Sequence, residues 1–177
     1  MATSSWDPIL YTKIKTAEQK DLVIQFTAEC ALLTDTKIKG KGNEEVSSMD
    51  TASVRVRVKI DGELAFPEDV TLCERMQTLK GKLSEWIIET NETTGEPYLV
   101  EVSEEIELIL NTTSANGFNF LAFNVGSGVH EVVLEADIYI NDQPQEGVDE
   151  SYPTAAVIGD RTLVVDEIRL VQSQTSP

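Results

Sequence analysis

The sequence is poor in the side chains that most often carry catalysis and zinc binding. Its 177 residues include one histidine, His130, and two cysteines, Cys30 and Cys73, and aromatic residues make up 6% of the chain. Nucleophilic catalysis needs a base that is most often histidine, and a zinc site usually needs four histidine and cysteine ligands. Neither a G-x-S-x-G elbow nor a glycine-rich phosphate loop is present. We therefore expect a protein that is not an enzyme and that requires no cofactor.

Basic residues are also scarce. Fourteen lysines and arginines stand against 31 acidic residues, for a net charge of −17. This balance argues against nucleic acids and anionic membrane surfaces as partners, because both need basic patches. No apolar run approaches the ~20 residues that span a bilayer, so we expect no membrane insertion. The acidity is uneven: residues 91–177 contain two basic residues, Arg161 and Arg169, whereas the first half holds the cluster Lys37, Lys39 and Lys41.

Apolar and polar side chains alternate along most of the chain. In the clearest segment, residues 52–61, Val54, Val56, Val58 and Ile60 are separated by charged residues. Such alternation is typical of half-buried β-strands. The same pattern predicts long strands at 21–33, 130–140 and 162–171. Weaker patterns predict further strands at 9–15, 69–79, 83–89, 97–101, 104–110, 117–125 and 154–159.

Turn motifs and polar stretches separate these segments. Asp61-Gly62 is typical of a tight hairpin, and Asn116-Gly117, Gly126–Gly128 and Gly159-Asp160 also predict turns. Two polar stretches, 34–51 and 141–152, predict surface loops. Residues 74–86 leave two alternatives open, a helix or a pair of strands joined near Gly81.

These patterns predict an all-β chain. We expect a single antiparallel β-sandwich or jelly-roll-like domain of about ten strands over residues 19–172. Residues 1–18 form an N-terminal arm or a first strand, and residues 173–177 form a tail. Residues 1–8 lack the basic and apolar regions of a signal peptide, so we expect a chain made without a Sec-type signal or a mature form.

The histidine and the cysteines have structural explanations. His130 is in phase with an apolar strand face near a Gly-Ser-Gly turn, which favours bonding to backbone or to a neighbouring strand over a catalytic or metal role. Cys30 and Cys73 lie far apart in sequence. They are either two buried thiols or one disulfide, and a disulfide would fit an exported protein.

Acidic side chains around residues 141–160 predict a possible calcium site. Calcium takes six to eight oxygen ligands, largely from carboxylates. The residues that offer them are Asp142, Glu146, Asp149, Glu150 and Asp160. The EF-hand pattern is absent, so a solvated acidic loop is the alternative. Few aromatic residues are available as sugar platforms, which disfavours a glycosidase but leaves a glycan-binding sandwich as an alternative.

Several blocks of sequence together resemble a family of uncharacterised microbial β-sandwich proteins. These blocks are Gln19–Leu22, Ala28–Cys30, Thr34–Lys37, VRVRVKIDGELAFP at 54–67, Cys73 with Gln77–Leu79, ANGFNFLAFNVGSGVHEVVLEADI at 115–138 and IGDRTLVVDEIRL at 158–170. They span most of residues 19–170. The resemblance implies one exported β-rich module with no assigned reaction. An extracellular or cell-surface location follows from it as an expectation.

Self-association is the function we expect from these features. Long strands expose backbone edges, which can accept a strand from another copy in a fibre or surface assembly. The lysine cluster and the acidic second half would set the direction of such contacts in a homo-oligomer. The expected contact residues are Ile9, Tyr11 and Ile14 in a donated N-terminal strand and Lys37, Lys39 and Lys41 in a basic loop. The alternative is a ligand-binding module for a glycan or Ca²⁺.

Overall fold

The computed structural model describes residues 5–40, 44–83, 85–102 and 104–169, and over these residues the chain is all β. The predicted fold class is confirmed, and the helix considered at 74–86 is absent. No helix in the described part of the chain is long and apolar enough to cross a lipid bilayer. The ten strands are β1 (Asp7–Thr16), β2 (Lys20–Gly40), β3 (Glu45–Ile60), β4 (Glu63–Leu64), β5 (Val70–Lys82), β6 (Glu85–Thr90), β7 (Pro97–Val102), β8 (Glu104–Val125), β9 (Gly128–Gln143) and β10 (Ala155–Ile168).

Two antiparallel sheets form the sandwich. In the first sheet, β9 lies between β1 and β3, and the other edge of β3 pairs with β5 and with the short β4. In the second sheet, β2 lies between β10 and β8. Strands β6 and β7 form a separate two-stranded hairpin. The N-terminal segment is therefore the first strand of its own chain's sheet, paired with β9 from Asp7 to Thr16.

The hydrophobic core lies between the inner faces of β2, β3 and β9. Alternate residues of these strands are fully or almost fully buried, as the period-two pattern predicts. A disulfide between Cys30 on β2 and Cys73 on β5 joins the two sheets, with 6.5 Å between the Cα atoms. The core comprises Leu22, Ile24, Phe26, Ala28, Leu32, Ala52, Val54, Val56, Val58, Ile60, Leu72, Phe120, Val132, Leu134 and Ala136, with smaller contributions from their neighbours.

The loop predicted at 34–51 is wrong. Strand β2 continues to Gly40 and β3 begins at Glu45, while Lys41 lies outside the described residues. The alternation continues through this segment, but its inward residues are polar: Thr34, Thr36 and Asp50 are buried and take part in hydrogen bonds. Because those bonds compensate burial, a polar stretch can remain inside a sheet.

Two predicted turns are also wrong. Strand β8 passes through Asn116-Gly117 without interruption, and a Cβ added at Gly117 would lie 2.9 Å from the Thr27 Cγ2 atom of β2. Gly117 thus permits a close approach of strands. At Gly159-Asp160, β10 continues through a register shift instead of turning. The Asp61-Gly62 hairpin turn is confirmed, with φ of 52° and 92° at its two residues.

Side chains cover the seams where the edges of the two sheets meet. Between β5 and β8, Arg75 donates to the Leu110 carbonyl (2.9 Å) and Asn116 donates to the Leu72 carbonyl (2.8 Å). Between β10 and β1, Arg161 donates to the Ile9 carbonyl (3.3 Å). These bonds satisfy edge carbonyls that a neighbouring strand would otherwise occupy.

Candidate functional site

The interior of the sandwich becomes polar toward the end of β2. Thr34 Oγ1 donates to Gln77 Oε1 (2.7 Å), and Gln77 Nε2 donates to Thr36 Oγ1 (2.7 Å) and to the Leu108 carbonyl (2.7 Å). Thr36 Oγ1 donates in turn to Asp50 Oδ2 (2.9 Å). All four side chains of this network are buried. The chain of hydrogen bonds therefore ends at one buried carboxylate, that of Asp50.

Three carboxylates meet at that point. Asp50 on β3 lies directly opposite Asp142 on β9, and cross-strand partners share one face of the sheet. Glu150, from the loop between β9 and β10, completes the group. One carboxylate oxygen from each residue lies within 4.8 Å of the other two. Like charges placed opposite each other destabilise a sheet, so a proton or a bound cation would stabilise this arrangement.

The electrostatics of the cluster reflect burial and mutual repulsion. Burial, together with the nearby Glu150 and Asp142 carboxylates, raises the pKa of Asp50 to about 7, and the hydrogen bond from Thr36 opposes the rise. Burial, followed by the charge of Asp142, likewise raises the pKa of Glu150. None of the ion pairs in the described part of the chain includes these three carboxylates. Asp50 is fully buried, and its Oδ1 atom has no hydrogen-bond partner.

The loop that carries Glu150 lies along one edge of β2. Strand β10 pairs with that edge only up to Leu33. From there to Gly40 no other described strand covers the edge, and loop residues 144–154 run along it. Glu150 Oε1 accepts from the Lys37 backbone nitrogen (3.4 Å) and from Ser48 Oγ (3.2 Å). Gln145 exchanges two hydrogen bonds with the backbone of Lys39 (2.9 and 2.7 Å). Side chains of the loop thus replace a missing strand.

A second buried carboxylate lies under the same loop. Asp35, on the opposite face of β2 from Thr36, accepts a hydrogen bond at Oδ2 from the Tyr152 backbone nitrogen (2.6 Å), while its Oδ1 atom has no partner. Burial raises the pKa of Asp35, and the charge of Glu107 adds to that effect. Asp35 lies outside the three-carboxylate group, although its charge adds to the rise in the pKa of Glu150.

The structure brings together part of the predicted calcium set. Asp142 and Glu150 lie in the cluster, whereas Glu146, Asp149 and Asp160 do not. Asp50 was not predicted as a ligand, because the polar sequence around it was interpreted as a surface loop. The alternation Ser48, Asp50, Ala52, in phase with the core valines that follow, is the signal that could have identified it.

A second surface of note is the β6–β7 hairpin. Ile88 and Leu99 are cross-strand partners, and Trp86 lies two residues from Ile88, so all three side chains share one face. They are 73%, 63% and 57% exposed, respectively. We call this the hairpin apolar face. Within the described part of the chain, neither strand of the hairpin pairs with a third strand.

The predicted contact residues occupy different environments. Ile9 and Ile14 on β1 pack partly against the core, whereas Tyr11 is 56% exposed at the open edge of the first sheet. Lys37 and Lys39 both form ion pairs with Glu105 (3.1 and 2.7 Å) within the same chain. The β1 edge is therefore accessible apart from the Ile9 carbonyl, which accepts from Arg161, and Lys37 and Lys39 share one acidic partner, Glu105.

His130 links three segments of the fold. Its Nδ1 atom lies 2.7 Å from Asp61 Oδ2, and its Nε2 atom lies 2.9 Å from the Gly126 carbonyl and 3.2 Å from Thr16 Oγ1. Hydroxyl, imidazole and carboxylate follow one another as in a nucleophilic triad. However, Thr16 is 1% exposed and its hydroxyl donates to the Gly126 carbonyl, so no substrate reaches its oxygen in this arrangement.

Comparison of this chain with protein-family models, with curated proteins and with solved structures finds no match.

Proposed function

We propose that this protein is a non-enzymatic structural module that associates with further copies of itself. The observation that carries the proposal is the hairpin apolar face. Three large side chains, Trp86, Ile88 and Leu99, lie exposed on one side of a two-stranded ribbon. Exposed contiguous apolar side chains are typical of protein–protein contact sites.

The hairpin needs a partner for physical reasons. A two-stranded ribbon is marginally stable in water by itself, because it buries little apolar surface. Its strands have unpaired backbone edges as well as an uncovered apolar face. Contact with another chain would cover both, which makes the hairpin suited to strand addition.

The occupant is the β1 edge of a second copy. From Lys82 to Arg161 the chain contains no intervening basic residue, and the hairpin region 85–102 carries five glutamates. A partner of opposite charge is therefore favoured over another hairpin. Strand β1 offers Lys13 and Lys15 together with the exposed Tyr11, and it pairs only with β9 among the described strands.

Such a contact joins two different surfaces of the same chain. Contacts of this kind form rings when the rotation between copies closes and filaments when it does not. The disulfide adds support for the extracellular or cell-surface setting, where such bonds persist.

A charge-exchange experiment tests this contact. The substitution pair Lys13→Glu and Lys15→Glu should dissociate the assembly, because the hairpin glutamates then face like charges. The substitution Glu101→Lys, at the cross-strand partner of Trp86 on the hairpin apolar face, should do the same from the other side. A mixture of the two variants should associate again, as measured by light scattering of the mixed and separate proteins.

Two controls define the outcome. Glu63→Lys, on the short β4, changes the net charge by the same amount as Glu101→Lys and should leave assembly unchanged. Ile88→Ser with Leu99→Ser should abolish association without altering the circular dichroism spectrum, since these side chains are exposed. A parent chain that stays monomeric at high concentration, or a mixture that fails to associate, would exclude the proposed contact.

A further inference from the structure

We propose that Asp50, Asp142 and Glu150 bind a calcium ion that holds the loop at 144–154 against the end of the sandwich. The site draws one ligand from β3 and two from the end of β9 and the loop that follows it, and these two parts of the chain are far apart in sequence and close in space. It is independent of the hairpin and of self-association.

The strongest observation is the state of Asp50 itself. Its side chain is fully buried, and only Oδ2 has a hydrogen-bond partner, Thr36. Oδ1 has none, although it belongs to a carboxylate in a group of three. A buried charged oxygen without a partner is costly, and buried charges in proteins are either paired or coordinate metals. An ion bound between the three carboxylates would supply the missing partner.

The chemistry of the ligands fits calcium. All three are carboxylates, the hard oxygen ligands that Ca²⁺ prefers. Oxygens bound to Ca²⁺ at about 2.3–2.6 Å can lie up to roughly 5 Å apart, and the three oxygens here lie within 4.8 Å. Asp142 is exposed, so water can complete the coordination sphere from that side. Mg²⁺ demands near-ideal octahedral geometry at about 2.0–2.1 Å and usually takes only one or two carboxylates, so three carboxylate ligands favour the more flexible coordination of Ca²⁺.

The position of the site defines its effect. Glu150 already accepts hydrogen bonds from Lys37 and Ser48 through Oε1. An ion on the cluster would tie this loop residue to Asp50 and Asp142 and so fix the loop over the uncovered edge of β2. A ligand that binds only the folded state must raise its stability, and the gain should be largest for unfolding that begins at this edge.

Thermal unfolding with defined ions tests the site. The full chain, freed of metal with a chelator, should show a Tm that rises by several degrees in millimolar CaCl2. MgCl2 at the same concentration, with NaCl added to equal ionic strength, should have a much smaller effect. Calorimetric titration with CaCl2 should show one site per chain.

Matched variants distinguish the site from general charge screening. Asp142→Asn should lose the calcium-dependent rise, and Glu146→Gln, in the loop that carries Glu150, should keep it, although both remove one negative charge. Asp50→Asn should also lose the response, while its metal-free Tm should not fall, because a buried charge is removed. Equal responses to Ca²⁺ and Mg²⁺, a response retained in Asp142→Asn, or one lost in Glu146→Gln would overturn the proposal.

Discussion

His130 shows how a single side chain holds distant parts of this fold together. Its ring contacts the turn after β3 through Asp61, the turn before β9 through Gly126 and the end of β1 through Thr16. Hydrogen bonds to Asp61 and Gly126 raise the pKa of His130, the carboxylate of Asp61 being the largest cause. His130 in turn lowers the pKa of Asp61. The charged pair therefore favours the folded state.

This pairing predicts a pH dependence of stability. The raised pKa of His130 contributes stability that is fully present below about pH 6.5 and is lost as pH rises through the folded-state value. The lowered pKa of Asp61 contributes stability present above about pH 4 and lost at lower pH. Urea unfolding should thus show a decline in stability as pH rises above about 6.5, and His130→Gln should remove it. The same decline in His130→Gln would show that other groups cause it.

Glycine and aspartate illustrate why some residues mislead sequence reasoning. Asn116-Gly117 has the composition of a turn, yet the glycine lies inside β8 because Thr27 of the adjacent strand leaves no room for a Cβ. Asp50 has the polarity of a loop residue, yet it is buried because Thr36 donates a hydrogen bond to it. Both conditions come from neighbouring strands, which one strand's sequence does not contain.

At the scale of elements, the alternating pattern predicted most strands but not their full lengths. The core half of β2, from Leu22 to Leu32, is apolar on its inner face and was recognised. Its outer half, which includes Thr34 and Thr36, keeps the strand geometry but has polar side chains on the inner face. A prediction based on hydrophobicity therefore ended the strand too early. The proposed cation site lies at this polar end, and its candidate ligand on β3, Asp50, was missed for the same reason.

The disulfide is the covalent link between elements of the two sheets. It closes a segment with a sequence separation of 43 between Cys30 and Cys73. Replacement of both cysteines by alanine should lower the free energy of unfolding by about 2–4 kcal/mol, because the unfolded chain gains conformational freedom. For a chain of this size, that corresponds to a fall in Tm of roughly 5–15 °C. A reducing agent should produce a similar fall in the parent and none in the double variant. A parent Tm that is insensitive to full reduction would contradict this expectation.

At the scale of the whole molecule, the uneven distribution of charge predicts how self-association depends on salt concentration. The hairpin region is acidic and the β1 edge carries lysines, so attraction between copies should weaken as salt screens it. Apolar contact through Trp86, Ile88 and Leu99 should resist that weakening. The association constant from sedimentation should therefore fall with added NaCl and then level off. Association that strengthens steadily with salt would indicate a purely apolar contact instead.

The cross-link between the sheets also decides how tension would travel through such an assembly. A pull entering at β1 and leaving at the hairpin follows the chain to Cys30, crosses the sulfur bridge to Cys73 and continues along β5. Strand β3, the central strand of the first sheet's core, lies in the bypassed segment and carries no covalent load. In protein with a reduced disulfide the same pull runs through β3. The Cys30–Cys73 disulfide would therefore protect β3 from being unfolded by tension.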